Sequence, residues 1–522
     1  MIIARDRKTL EEVLDNQLAP YAIKNSLHWR SKDTARETYR TNYRRDRDKI
    51  LYSLAFRRLQ SKAQVFVSVI GEHNNTQKKF AHYRNRLSHT LEVDQIAYSI
   101  ANALGLNLDL VSAIAMGHDI GHTPFGHAGE RALNKSLRSS DEKHGGFLHS
   151  LQSVRYLHIL SNRAEDQSDL KEVDKYVKLG VLKHDTDIIN CKKEDIEKQF
   201  NIFKEIGLTD DEVYCPSFLE AQTVYWADKI AYLCHDWDDF VTSNLLKNAI
   251  TNQDLYNDDI TRYFEEMFRS VDSLKDRKIK SLADIKMRDI VYCICTKIIE
   301  DSAERLSKQS PKNFEDAILI CKDKYSKNLK ELLLKNEATT NKDKFLNDII
   351  KNNYSIKPRD KHLPFSDDTV FKKYNTLDQF LDNTEHRFLL NSNNYELKLL
   401  KKEDKTEKYK LFKKLKKDAY QSSFLIGFNE NFSNHINKIS KLISDHFCKS
   451  PEVALMDKKG NEVLMCLYSE YSQDQKLLPL KTQKIISNGN VKERVITDHL
   501  AGMTDSYACK MYNDLKTTHW GG

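Results

Sequence analysis

Two neighbouring stretches decide how this chain reads. One is Arg86-Leu87-Ser88-His89. The other is Met116-Gly117-His118-Asp119-Ile120-Gly121-His122-Thr123-Pro124-Phe125-Gly126-His127-Ala128-Gly129-Glu130. Residues 109–118 predict a helix on which Val111, Ile114, Ala115 and His118 share a face, so His118 points where apolar residues point. Gly121, Pro124 and Gly126 then break the helix into a tight loop. Residues 87–104 predict an earlier helix. Its buried stripe is Leu87, Leu91, Ile96, Ile100 and Leu104, with His89 near its start and Gly105 ending it. A third helix is expected over 219–240, where Asp228, Tyr232 and Asp236 recur every fourth residue and line one face.

These residue types suit a hard or borderline divalent cation, which accepts imidazole nitrogen and carboxylate oxygen. His89, His118, Asp119 and Asp228 would bring two imidazoles and two carboxylates from three helices. An adjacent His-Asp pair can serve one ion because it sits where a helix ends; mid-helix the two side chains would diverge by about 100°. A cation so held keeps the ability to bind a phosphate oxygen and to acidify a water. The reading is a metal-dependent phosphohydrolase.

The chain holds three His-Asp dipeptides, His118-Asp119, His184-Asp185 and His235-Asp236. Each taken alone reads as a surface or capping pair. Only the first has an apolar helix running into it and a glycine-rich turn with further histidines after it. His184-Asp185 lacks such surroundings and is set aside. In the third pair Asp236 belongs to the ligand-facing row and His235 is read as structural.

Composition narrows the rest. Eight prolines and sixteen glycines in 522 residues favour long helices over sheets with many turns. A formal charge of +7 from 83 basic and 76 acidic residues suits an anionic ligand without implying nucleic acid. Nine cysteines include no CxxC pair, which points to a reducing cytoplasm and away from a disulfide framework. The early charges of Arg5, Asp6, Arg7 and Lys8 do not suit a signal peptide, and no stretch approaches the roughly 18 unbroken apolar residues of a membrane span.

Along the chain, residues 1–40 form an arm without clear period. Leu51, Leu54, Ala55, Arg58 and Leu59 have helical spacing, and Gln64-Val65-Phe66-Val67 reads as a short extended piece. Residues 41–250 form the core. Residues 251–420 are an inserted, Lys/Asn-rich helical region, and 421–522 a helical segment that returns to complete the core. In that last part Phe428, Phe432, Ile436, Ile439 and Ile443 keep a helical period. The expected fold is all-α.

In this order the motifs resemble those of the HD-domain phosphohydrolases, and more closely the deoxyguanosine triphosphate triphosphohydrolases and the related sterile-alpha-motif HD triphosphohydrolases. Phe56-Arg57-Arg58-Leu59, Gln64-Val65-Phe66, Arg86 to His89, His118 to Glu130, Gly145-Gly146-Phe147-Leu148-His149, Leu219-Glu220-Ala221-Gln222 leading to Asp228, and Asp498 to Asp505 carry the resemblance. It covers most of residues 40–240 and the C-terminus.

The resemblance implies metal ligands His89, His118, Asp119 and Asp228, and a catalytic pair His127 and Glu130. The i, i+3 spacing of that pair lets the carboxylate orient the imidazole. It further implies substrate contacts at Gln64, Arg86, His122 and His149, with Tyr232 and Asp236 holding the sugar 3′-hydroxyl. Lys229 departs from the acidic residue of many bacterial members and matches the phosphate-contacting lysine of the sterile-alpha-motif branch. This leaves the base preference open.

The implied reaction converts a deoxynucleoside triphosphate, with dGTP the favoured substrate, to deoxynucleoside and inorganic triphosphate, with Mn²⁺ or Mg²⁺ bound. A homo-oligomer, specifically a hexamer, and a nucleotide effector site follow from the resemblance alone. The basic run 398–417 could bind single-stranded nucleic acid, as some relatives do. Its only interleaved aromatics are Tyr409 and Phe412, so a solvated helix is the preferred reading. A second enzyme reading is an HD-type phosphodiesterase or nucleotidase in which His122 and His149 ligate a further metal. A third is a nucleic-acid-binding protein with a relic site.

Overall fold

The computed structural model describes residues 6–29, 39–64, 84–140, 146–160, 172–190, 206, 208–209, 212–213, 215–243, 245–251, 257–337 and 407–516. Among them are nineteen α-helices and no strand, the all-α class that the sequence predicts. In chain order these are α1 (Arg7–Gln17), α2 (Asn42–Leu51), α3 (Leu54–Arg58), α4 (Arg86–Ala103), α5 (Leu108–Gly117), α6 (Gly126–Ser140), α7 (His149–His158), α8 (Lys175–Lys183) and α9 (Leu219–Thr242). There follow α10 (Leu245–Thr251), α11 (Asn257–Phe268), α12 (Met287–Gln309), α13 (Phe314–Glu337), α14 (Glu407–Ser422), α15 (Glu430–Ile443), α16 (Pro451–Gln473), α17 (Leu480–Ser487), α18 (Lys492–Ala501) and α19 (Asp505–Lys516).

Helix starts follow the capping chemistry of the sequence. Asp6, Thr41, Asn85, Asn107, Asn429 and Ser450 each accept a backbone N–H of the first turn. Ser53 does the same for α3, so the continuous period read across Leu51 and Leu54 is in fact two helices with a break at Tyr52 and Ser53. Of the extended piece at Gln64, only an isolated antiparallel bridge between Ala63 and Asn85 is described; Val65 to Val67 lie outside the described residues.

The long helix α9 is buried along most of its length and packs against α4, while α4 and α2 both pack on α5. The buried face of α4 differs from the predicted stripe. His89, Val93, Ile96, Ala97 and Ile100 are buried, and Leu91 is 48% exposed. The step from Leu91 to Ile96 turns five residues, about 140° away on a helix of 3.6 residues per turn, so both cannot face the core. One apolar cluster runs from Tyr43 through α4, α5 and α9 to Phe264, Ile294, Tyr325, Tyr420 and Phe432, so α11 to α15 share it. A second joins Phe125, Ala132 and Leu133 to Leu464, Leu467, Ile496 and Leu500, docking α16 and α18 onto α6. The eight cysteines among the described residues are free.

Candidate active site

The site forms where α4, α5, α7, α8 and α9 meet. His89 lies one turn into α4 and is buried. Its Nε2 is 3.1 Å from Asp228 Oδ1, and its Nδ1 is 3.3 Å from Nδ1 of His235, which backs it and itself pairs with Glu92. His118 caps the C-terminus of α5, every residue of which from Leu110 to Gly117 is buried. Its Nδ1 donates to the Ala115 carbonyl at 2.7 Å, which leaves Nε2 as a bare lone pair. That Nε2 is buried and makes no hydrogen bond. It faces Asp119 Oδ1 at 3.6 Å and Asp228 Oδ1 at 3.8 Å. An orphaned imidazole nitrogen ringed by carboxylate oxygens is a poor resting arrangement for a dry interior and a good donor set for a cation. His89, His118, Asp119 and Asp228 therefore fit a divalent metal.

Asp119 and Asp228 are both held well below the usual carboxylate range. Burial opposes their ionisation, but His122 and Arg86 outweigh it at Asp119, and His89 and Lys229 at Asp228. The second oxygen of Asp119 accepts from Arg86 Nη1 at 2.7 Å.

The turn after Asp119 is pinned from several sides. A Cβ on Gly121 would come 2.2 Å from Ser153 N and 2.4 Å from His149 O, so only glycine lets the turn press against the start of α7. Ser153 Oγ accepts from Gly121 N and donates to the His118 carbonyl. Phe125 and Gly126 take φ of 60° and 55°, reversing the chain into α6. Asp505 accepts from Ala63 N at 2.7 Å and Phe125 N at 2.9 Å. Buried Lys62 donates to the carbonyls of His122 and Ala501.

On α6, Glu130 Oε2 faces His127 Nδ1 at 3.3 Å, and Oε1 accepts both His149 N at 2.8 Å and His149 Nδ1 at 3.1 Å. Burial works against charge on His149, yet Glu130 outweighs it and raises the imidazole to about 9. His122 stacks on His149 with ring centroids 4.0 Å apart, and burial together with Arg86 pushes its titration well down. His127 stands at the mouth with its side chain 56% exposed. Gln64 borders Gly126, and its buried Oε1 makes no hydrogen bond.

Along α9, Tyr232 and Asp236 follow Asp228 on the same face. Burial and then Asp239 push the Asp236 carboxyl well above the usual range. Lys229 is exposed and lies 5.6 Å over the Tyr225 ring, turned from that row. Two site residues escaped the sequence reading. Cys448 arrives from the C-terminal segment and places Sγ 3.8 Å from Asp236 Oδ2; no local motif marks it. His184, set aside for want of a glycine-rich turn, has its Nε2 3.0 Å from His149 Nε2 and its ring against that of His118. Its signal was the apolar helix ending at a His-Asp pair. Of the basic run, residues 398–406 lie outside the described residues.

A family model for the HD domain matches residues 86–233, from Arg86 through Leu233, and a phosphohydrolase-associated domain model matches residues 426–514. A deoxyguanosinetriphosphate triphosphohydrolase-like protein of Caldanaerobacter subterraneus subsp. tengcongensis is 39% identical over 287 residues, covering 55% of this chain and 67% of that relative. The chain belongs to the deoxyguanosinetriphosphate triphosphohydrolase-like family. Members so named from Rickettsia bellii and Rickettsia canadensis align over 92% of the chain and 92% and 94% of their own lengths, at 28% and 26% identity. Membership of this family makes the chain an HD phosphohydrolase. The segment carrying Cys448, Ala501 and Asp505 falls inside the phosphohydrolase-associated match. No helix among the described residues is long and apolar enough to cross a membrane.

Proposed function

We propose that this phosphohydrolase is a metal-dependent deoxynucleoside triphosphate triphosphohydrolase, with dGTP the favoured substrate, releasing deoxynucleoside and inorganic triphosphate. The observation that carries the reading is the continuous row from the four-donor cluster at His118 to half-buried Tyr232 and buried Asp236 on one face of α9. Such a row supports a reading in which a sugar lies beside the phosphate whose ester bond breaks. Bound Mn²⁺ or Mg²⁺ would supply Lewis-acid polarisation of that phosphate and a more acidic water.

The chain's own groups do the rest. Arg86 fixes Asp119 and adds positive charge. His122 and His149 form a stacked imidazole floor for phosphate oxygens. His127, oriented by Glu130 and open to solvent, is placed to move a proton at the mouth. Tyr232 and Asp236 hold the 3′-hydroxyl. Water then attacks the α-phosphorus, and the nucleoside 5′-oxygen leaves. A homo-oligomer in the cytoplasm completes this reading, carried by the family resemblance and the cysteine usage alone.

The test is to incubate the four deoxynucleotides, singly and mixed, with Mn²⁺ or Mg²⁺ and resolve the products by chromatography in ¹⁸O-water. Labelled triphosphate with unlabelled nucleoside is expected. Orthophosphate as first product, or label in the nucleoside, overturns the reading. A two-metal phosphodiesterase remains the second reading, because Asp119, His122 and His149 bring ligand atoms within 4.8 Å of one another.

A further inference from the structure

Two residues of α9 bracket the ring of His89. Asp228 Oδ1 lies 3.1 Å from its Nε2, and His235 Nδ1 lies 3.3 Å from its Nδ1. Asp228 and His235 stand seven residues apart, two turns of helix, so they fall within about 20° of one line along α9. His235 is buried, and its ring meets that of His89 edge-on with centroids 5.2 Å apart. The far nitrogen of His235, Nε2, pairs with Glu92 Oε2. Glu92 follows His89 by one turn of α4. That helix therefore supplies both ends of the chain Glu92–His235–His89, and α9 supplies its middle.

The outer end of this chain fixes its polarity. Glu92 Oε1 is met by Arg84 Nε at 3.5 Å, and the same guanidinium is anchored to Asp238 at 2.8 Å, which leaves Oε2 for His235. A carboxylate accepts and does not donate, so a neutral His235 carries its proton on Nε2 and offers a lone pair at Nδ1. His89 then donates from Nδ1, and its Nε2 is left bare toward Asp228. The opposite order would set the His235 Nε2 lone pair against the Glu92 carboxylate. A bare nitrogen 3.1 Å from a carboxylate oxygen is a place for a cation rather than for a hydrogen bond.

We propose that Glu92 and His235 are positioning residues that hold His89 in the tautomer and at the angle a divalent cation requires. The inference rests on the metal reading of His89, His118, Asp119 and Asp228. Removing the group behind a metal-ligating histidine typically costs about 10–100-fold in metal affinity. Here the support is two residues deep. Its outer carboxylate is 38% exposed, so Glu92 can be changed without opening the core.

The test titrates the full chain, stripped by chelation and desalting, with Mn²⁺ and reads the free ion from its six-line electron paramagnetic resonance signal. Glu92→Gln keeps the size and lets the chain run in either direction. His235→Phe keeps a ring and removes the acceptor. Both should bind Mn²⁺ about 10–100-fold more weakly than wild type. His235→Asn, whose Oδ1 stands in for Nδ1, should stay near wild type. A residue that only fills space would give the reverse order, with Phe tolerated and Asn harmful. Wild-type affinity in Glu92→Gln or His235→Phe, or equal losses in His235→Phe and His235→Asn, overturns the proposal. Should His235→Phe lose its helical circular dichroism, Glu92→Gln decides. A wild type that holds no Mn²⁺ overturns the metal reading as well, whereas a wild type that binds beside unaffected variants overturns this inference alone.

Discussion

Arg86 Nη1 donates to Asp119 Oδ2 at 2.7 Å, with both side chains nearly wholly buried. The contact decides which oxygen of Asp119 is left for the histidines: Oδ1 faces His118 and His122. Arg86 thereby sets the orientation of Asp119, a positioning role that is separate from the phosphate contact proposed for it. Arg86→Lys keeps a charge but loses the planar fork that sets the carboxylate's angle. We expect it to fold and to bind Mn²⁺ about 10–100-fold more weakly, as losses behind a metal ligand do. Isothermal titration with Mn²⁺ checks this; unchanged affinity would remove Arg86 from the positioning role.

His118→Ala and Asp228→Ala are expected to lose turnover and the ion facing those residues, while their helical circular dichroism persists. Helix packing around α4, α5 and α9, rather than the ion, holds this core. Wild-type turnover by either purified variant would sink the ligand assignment.

His127→Ala should lose about 10²–10⁴-fold in kcat while metal content and substrate affinity stay near wild type. The exposure of His127 makes a folding defect an unsuitable explanation. An unchanged kcat would leave His127 without a chemical role.

On the proposed reading, selectivity for deoxyribose is expected because Tyr232 and Asp236 succeed Asp228 along one face of α9. A 2′-hydroxyl there would meet a ring or an already buried carboxyl. We expect kcat/KM for a deoxynucleotide to exceed that for its ribonucleotide by at least about 10²-fold. Comparable values for the two would contradict the placement of the sugar.

Glu220 gives a pH-dependent stability. Its Oε1 accepts from Ile23 N at 2.9 Å and Asn107 N at 3.3 Å, while Oε2 is buried without a partner. Burial raises the carboxyl to about 7 against the ordinary value of 4.5. Between those two values the folded chain holds a proton that the unfolded chain has lost. Unfolding free energy then falls as pH rises through this window, by at most about 1.4 kcal/mol per pH unit from this group. Glu220→Gln keeps the acceptor and removes the titration. Its Tm relative to wild type should rise between pH 5 and pH 8; parallel Tm profiles would show that Glu220 contributes no such slope.

Much of this site was legible because local rules dictate it. A polar residue opens α4 and α5, a histidine ends the apolar α5, and Asp228, Tyr232 and Asp236 repeat at the helical period. The face of α4 was misjudged because leucine at position 91 looks apolar, whereas direction on a helix depends on angle. His184 and Cys448 were missed for another reason. Their place in the site comes from tertiary packing: α7 and α8 bring His149 and His184 together, and the π-turn Ser444–Cys448 carries Cys448 back to Asp236. Spacing along one chain does not encode a meeting across two hundred residues.

The bonds that Asp505 and Ala501 make to the turn at Phe125 and to Lys62 have a consequence during synthesis. The histidine turn emerges from the ribosome long before its partners do. Until residues 501 to 505 follow, Lys62 lacks one of its two carbonyl acceptors and the amides of Ala63 and Phe125 lack theirs. The growing chain would thus carry its histidines in an unset loop, and the turn would be fixed only once the segment bearing Ala501 and Asp505 had been made.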